Sequence, residues 1–269
     1  MYKLTANVIQ SFYKNSDLNE KYYAFFESKV KQMYNEMESE DPDCDHEEGE
    51  ETNVDVSLKI ALETTMYYAE EFEKGHSALW AEAYALDKAC FVNEDEIVRT
   101  AYEFIEDKND AERELDIYLN GISDDPLYHS RYKFLFKGHD SDIRIRTEDY
   151  CKTYHSCINA GKSEYYAHAY ADSLTEYSGE EYWSVYAQAY DAAKQHGMSD
   201  IDAYAFGYKC IEGTEHGYVS EINLFLKHYK EIWQKKLYLQ LIIDDMNDKR
   251  SRYPYDDQLI ADICRELGL

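Results

Sequence analysis

Residues 150–210 read YCKTYHSCINAGKSEYYAHAYADSLTEYSGEEYWSVYAQAYDAAKQHGMSDIDAYAFGYKC. Two copies of one pattern lie inside this stretch, and a third lies upstream. Tyr68, Tyr154 and Tyr190 each precede a glycine by seven residues, at Gly75, Gly161 and Gly197. Ser77, Ser163 and Ser199 follow two residues later. Then come Ala81, Ala167 and Ala203, next Ala83, Ala169 and Ala205, an aromatic (Tyr84, Tyr170, Phe206) and a small residue (Ala85, Ala171, Gly207).

The pattern predicts a helical hairpin. Tyr186, Ala189, Tyr190 and Ala193 share one stripe of a first helix, at i, i+3, i+4 and i+7. Glycine ends that helix because the left-handed C′ conformation costs it no Cβ clash. Serine caps the next helix. On that helix Ala203, Phe206, Gly207 and Cys210 form a narrow stripe, as Ala167, Tyr170, Ala171 and Leu174 do one unit earlier. Small residues let two helices approach closely, and one ring per stripe fills the space left. Hairpins of this kind stack by burying each other's faces.

The glycines are 86 and then 36 residues apart, so a degenerate copy at Gly121-Ile122-Ser123 is expected to divide the larger gap. The unit resembles the tetratricopeptide class of helix-turn-helix repeats in length and in its pairing of small residues with aromatics. The resemblance covers residues 57–90 and 147–210. The family's Trp-x2-Leu-Gly-x2-Tyr opening and its closing proline are absent, and the alanine spacing differs. The resemblance implies a protein-binding scaffold and carries over no functional residue.

Outside the repeat, helical periodicity places helices at 3–15, 17–37, 55–74, 77–91, 94–108, 111–120, 124–137, 142–160, 163–177, 179–196, 199–212, 217–247 and 256–267. Asn93 with Glu96, and Ser178 with Glu181, have the spacing of a capping box. Only 3 prolines and 11 glycines punctuate 269 residues. The expected fold is all-α: helical-hairpin repeats packed as an irregular α-solenoid or compact helical bundle. The expected division is N-terminal helices at 1–37, an acidic loop or linker at 38–54 and a helical-repeat domain at 55–269.

Charge is unevenly spread. The formal net charge is −27, yet residues 1–35 carry +2. Residues 36–130 hold 29 acidic and six basic side chains, a net −23, and the remainder carries −6. Such a field repels phosphate, so no direct nucleic-acid ligand is expected. A protein with a basic surface or nucleic-acid-binding cleft is the expected partner. The densest acid lies at 36–51, ten carboxylates in sixteen residues. The candidate partner-binding carboxylates are Glu38, Glu40, Asp41, Asp43, Asp45, Glu47, Glu48, Glu50 and Glu51. The candidate aromatic anchors are Tyr165, Tyr166, Tyr182, Trp183 and Tyr204, which the small-residue stripe does not use. Lys227, Lys230, Lys235, Lys236, Lys249, Arg250 and Arg252 make a locally basic C-terminal region, read as a solvated face or as a contact with the acidic segment.

Motifs for chemistry are weak. Asp41, Asp43 and Asp45 open like an EF-hand loop, but His46 and Thr52 stand where the turn needs glycine and the ion needs a bidentate glutamate. Cys151 with His155, and Glu164, His168 and Asp172, are spaced at i, i+4 without the Glu-x-x-His of carboxylate metal bundles. No nucleophile elbow, phosphate-cradling glycine loop or HExxH is present. No metal, cofactor or catalytic residue is therefore expected. Six cysteines without a CxxC, and a start (MYKLTANVIQ) without a basic-then-apolar leader, point to reduced thiols and a cytoplasmic location. The expected function is a non-enzymatic acidic repeat protein, in its sharpest form a nucleic-acid mimic that inhibits a DNA- or RNA-handling defence protein. The alternative is a general adaptor with a tyrosine-rich concave surface. An enzyme with an unrecognised site ranks behind both.

Overall fold

The computed structural model describes residues 4–40, 52–90, 93–176, 182–216, 219–247 and 257–268. Every regular element among them is helical, as the periodicity predicts, and consecutive helices pack on one another. The chain forms two compact units, Met1–Ile143 and Arg144–Leu269. Composition does not mark that boundary.

The first unit holds α1 (Ala6–Lys14), a 3-10 turn (Glu20–Tyr22), α2 (Tyr23–Glu40), α3 (Asn53–Glu73), α4 (Ala78–Lys88), α5 (Glu94–Glu103), α6 (Lys108–Ile122) and α7 (Pro126–Lys137). Ile9, Tyr13, Phe26 and Val30 bury against Val54, Leu58 and Ala61, so α1, α2 and α3 share one core. The N-terminal helices are thus packed with α3 in the first unit. Asn93 does cap α5, but its side chain accepts from the Asp95 N–H at 3.0 Å, and Glu96 pairs with Arg99 instead of closing a box. Ser178 and Glu181 lie outside the described residues.

The second unit holds α8 (Ile143–Asn159, beginning on the boundary residue), α9 (Glu164–Glu176), α10 (Trp183–Gln195), α11 (Asp200–His216), α12 (Val219–His228), α13 (Ile232–Asn247) and α14 (Asp257–Leu267). The stretch 217–247, read as one helix, is two. Tyr229, Lys230 and Glu231 separate α12 from α13 with neither glycine nor proline to announce it. The cause is tertiary. Phe225 and Tyr238 stack at 3.6 Å and 6°, whereas one continuous helix would hold them about 20 Å apart. Phe206, Tyr229 and Trp233 gather around the same point.

The three repeat turns are built alike. Gly75, Gly161 and Gly197 have φ of 99°, 77° and 80°. Each donates its N–H three residues back, and the residue after it donates five back: His76 to Glu71, Lys162 to Cys157 and Met198 to Ala193. That is the Schellman pattern. Ser77, Ser163 and Ser199 then accept from the N–H groups of Trp80, Tyr166 and Asp202. Ala81, Ala167 and Ala203 are fully buried.

The degenerate copy is not at Gly121, which lies inside α6. The fourth turn of this form is at His139, φ 57°, whose N–H reaches Phe136 O while that of Asp140 reaches Leu135 O. A histidine in the left-handed region leaves no glycine signal to read.

Candidate functional site

The strongest surface feature is a ladder of tyrosines across α9, α10 and α11. Each helix contributes a pair at i, i+4: Tyr166 and Tyr170, Tyr186 and Tyr190, Tyr204 and Tyr208. Within pairs the ring centroids lie 5.8, 5.9 and 4.6 Å apart. Tyr186 is the centre, with Tyr204 edge-on at 6.2 Å and Tyr208 at 5.5 Å. Ala169 and Ala187 are buried beneath these rings. Gly207 makes the approach possible, because a Cβ there would meet the Tyr186 ring at 2.7 and 2.8 Å. Gly207, the small residue at this place in the third repeat, is therefore a seat for a ring from the neighbouring helix.

Tyr165 and Tyr204 are exposed at the rim, with Ile201 beside them 81% exposed. Carboxylates and ammonium groups are interleaved with the rings. Lys194 Nζ lies 5.6 Å above the Tyr165 ring and 2.5 Å from Asp200, and the Tyr190 hydroxyl donates to the same Asp200 oxygen at 3.3 Å. Lys162 Nζ sits 4.8 Å over the Tyr166 ring. The hydrogen bond from Lys194 holds the Asp200 carboxyl below its usual range. Burial first, then nearby charge, pushes the Tyr166 and Tyr190 phenols up to about 12, so both are neutral hydroxyls under ordinary conditions. The surface thus offers ring faces and carboxylates that hold ammonium groups from two sides.

The other expected anchors divide. Tyr182 is half-buried at the start of α10. Trp183 is 9% exposed and edge-on to Tyr170 at 6.4 Å, so it fills space between helices and does not project. The first turn of α10 points it inward, a detail that the repeat stripe does not encode. Glu38 accepts from Asn53 Nδ2 at 3.2 Å and ties α2 to α3. Glu40 ends α2. Asp41, Asp43, Asp45, Glu47, Glu48, Glu50 and Glu51 lie outside the described residues, and the EF-hand reading with them.

The Cys151, His155, Glu164, His168 and Asp172 set does not gather into one site. His168 Nδ1 lies 2.5 Å from the Tyr150 hydroxyl and its ring packs 4.5 Å from Tyr154, while His155 is exposed and Cys151 buried. Among the described residues no three His, Cys, Asp or Glu side chains are placed to hold one metal ion.

One polar cluster escapes sequence reading. His76, buried after the first repeat glycine, has Nδ1 2.8 Å from Glu114 and Nε2 3.4 Å from Glu71. Both carboxylates are buried, and Trp80 stacks on the imidazole at 5.0 Å. The Ser77 N–H donates to Glu114, and Lys74 approaches Glu71 at 2.7 Å. The two carboxylates face opposite ring nitrogens, only Glu114 in a hydrogen bond with the imidazole, and share no common ligand point. His76 aligns with Lys162 and Met198 in the other repeats, and Glu114 comes from α6, so no spacing foretells the cluster.

The chain matches no protein-family model, no curated protein and no solved structure. Among the described residues no helix is long and apolar enough to cross a membrane.

Proposed function

We propose that this chain is a non-enzymatic binding protein whose partner is a macromolecule with a basic surface, contacted through the tyrosine ladder of α9–α11. The observation carrying this reading is that the ladder already holds cations: Lys194 between Tyr165 and Asp200, and Lys162 over Tyr166. A partner's lysine or arginine reaching the exposed rings of Tyr165 and Tyr204 meets the same chemistry. Long-range attraction from the −23 carried by residues 36–130 supplies steering.

The sharper form is mimicry of nucleic acid, in which carboxylates occupy the basic cleft of a DNA- or RNA-handling protein and inhibit it. The density of carboxylates supports it. The adaptor alternative draws its support from the exposed apolar rim at Ile201 and Tyr204.

One set of titrations separates these readings, using an arginine-rich peptide and a basic DNA-binding protein as probes. Tyr165→Ala with Tyr204→Ala is expected to weaken peptide binding about tenfold or more. Mimicry requires that the chain displace DNA from the basic protein, that deletion of 38–52 weaken this, and that rising salt abolish it. Tyrosine sensitivity without salt dependence leaves the adaptor. Indifference to both changes removes the proposal.

A further inference from the structure

A second surface carries the opposite charge. On α12, Leu224, Lys227 and His228 stand at i, i+3 and i+4, and on α13 Ile232, Lys235 and Lys236 repeat that arrangement. Leu224 is 64% and Ile232 63% exposed. Lys230, in the link between the helices, folds its ammonium back onto the Lys227 carbonyl at 2.5 Å. In a chain with 55 acidic against 28 basic side chains, several lysines find a carboxylate, Lys29, Lys74, Lys133 and Lys194 among them. Lys227, Lys230, Lys235 and Lys236 make no ion pair among the described residues. The complement of four lysines without an ion pair beside two exposed aliphatic side chains is a surface that is anionic and partly apolar.

We infer that this corner binds a second copy of the chain, through the α5–α6 corner of that copy. The complement is close in kind. Phe104 is 55% exposed at the end of α5, and Glu103, Glu106, Asp107 and Asp110 are exposed around it. Glu103 and Glu106 make no ion pair among the described residues. One corner is apolar and mainly ammonium, with Glu231 among the lysines; the other is apolar and mainly carboxylate, with Lys108 among the acids and Asp110 paired with Arg113. A second copy meets the same long-range repulsion from −27 as nucleic acid does, but nucleic acid is the weaker occupant because it brings no apolar side chain to cover Leu224 and Ile232. The self-contact is heterologous, so copies join head to tail and either close into a ring or extend. This inference stands apart from the tyrosine ladder and does not depend on its ligand.

Sedimentation velocity of the full chain across concentration and salt tests it. Self-association at low salt that dissociates at high salt is expected. Lys227→Glu with Lys230→Glu is expected to weaken it about tenfold or more, as is Glu103→Lys with Glu106→Lys, with helical circular dichroism unchanged. Mixing the two charge-reversed variants is expected to restore association between them. A chain that stays monomeric at low salt overturns the inference. So does association that survives both reversals, or a pair of variants that fails to recover on mixing. Retention of duplex DNA or RNA that the lysine reversals abolish would assign the corner to nucleic acid and equally overturn it.

Discussion

The α3–α4 and α10–α11 hairpins have the same turn and different interiors. Both have a glycine at positive φ, the same two backbone hydrogen bonds and a serine cap. After the glycine, one has His76 buried between Glu71 and Glu114, where the other has Met198 packed against an aliphatic and aromatic core. Further along, Glu82 pairs with buried Lys29 at 2.6 Å, while the equivalent Tyr204 joins the tyrosine ladder. The repeat therefore specifies backbone geometry, and the positions between its marks decide whether the contacts around the frame are ionic or aromatic.

The comparison breaks most sharply at the turn. His76→Ala would leave Glu114 buried without its imidazole hydrogen bond and a hole beneath Trp80, and the first unit is expected to lose about 2–4 kcal/mol. Met198→Ala, which removes apolar contacts from a half-buried site, is expected to cost about 1–2 kcal/mol. Urea denaturation of both variants measures the difference, and equal losses would mean that the buried triad carries no special weight.

Gly207→Ala sharpens the aromatic half. Its Cβ must displace the Tyr186 ring, at an expected cost of about 1–3 kcal/mol. Near-ultraviolet circular dichroism should change with it, since the ring moves. Adding Tyr186→Leu should recover part of the loss, because the clash is then gone.

The smallest effect concerns pH. Tyr166 and Tyr190 have folded values near 12 against an ordinary value of 10. Their neutral form is favoured by folding, so the stability they contribute is complete below pH 10 and is lost as pH rises toward 12. Absorbance titration of the phenols, compared with Tyr166→Phe and Tyr190→Phe, should show two late-titrating tyrosines disappear.

Much of the fold was legible. Gly75, Gly161 and Gly197 marked their turns because positive φ is cheap only for glycine, and the serines marked caps for a local hydrogen-bonding reason. His139 escaped notice because a left-handed histidine is held by its surroundings, and Gly121 misled because a glycine inside a helix looks like one at its end. The break at Tyr229–Glu231 has no local mark, since the stack of Phe225 on Tyr238 imposes it. Of the aromatic anchors, Tyr165 and Tyr204 were placed on the outside and Trp183 within, a choice that depends on which neighbour faces the first turn of α10.

Sequence alone determined the helical class, three of the four turns of the Schellman form among the described residues and the stripe of small residues, because each follows from steric and hydrogen-bonding preferences acting within a few residues. Tertiary structure decided the division at Ile143, the Glu71–His76–Glu114 cluster, the inward Trp183 and the tyrosines that gather around Tyr186. These depend on groups brought together from separate helices. Local preference has no bearing on such pairs until packing places them within a few ångströms.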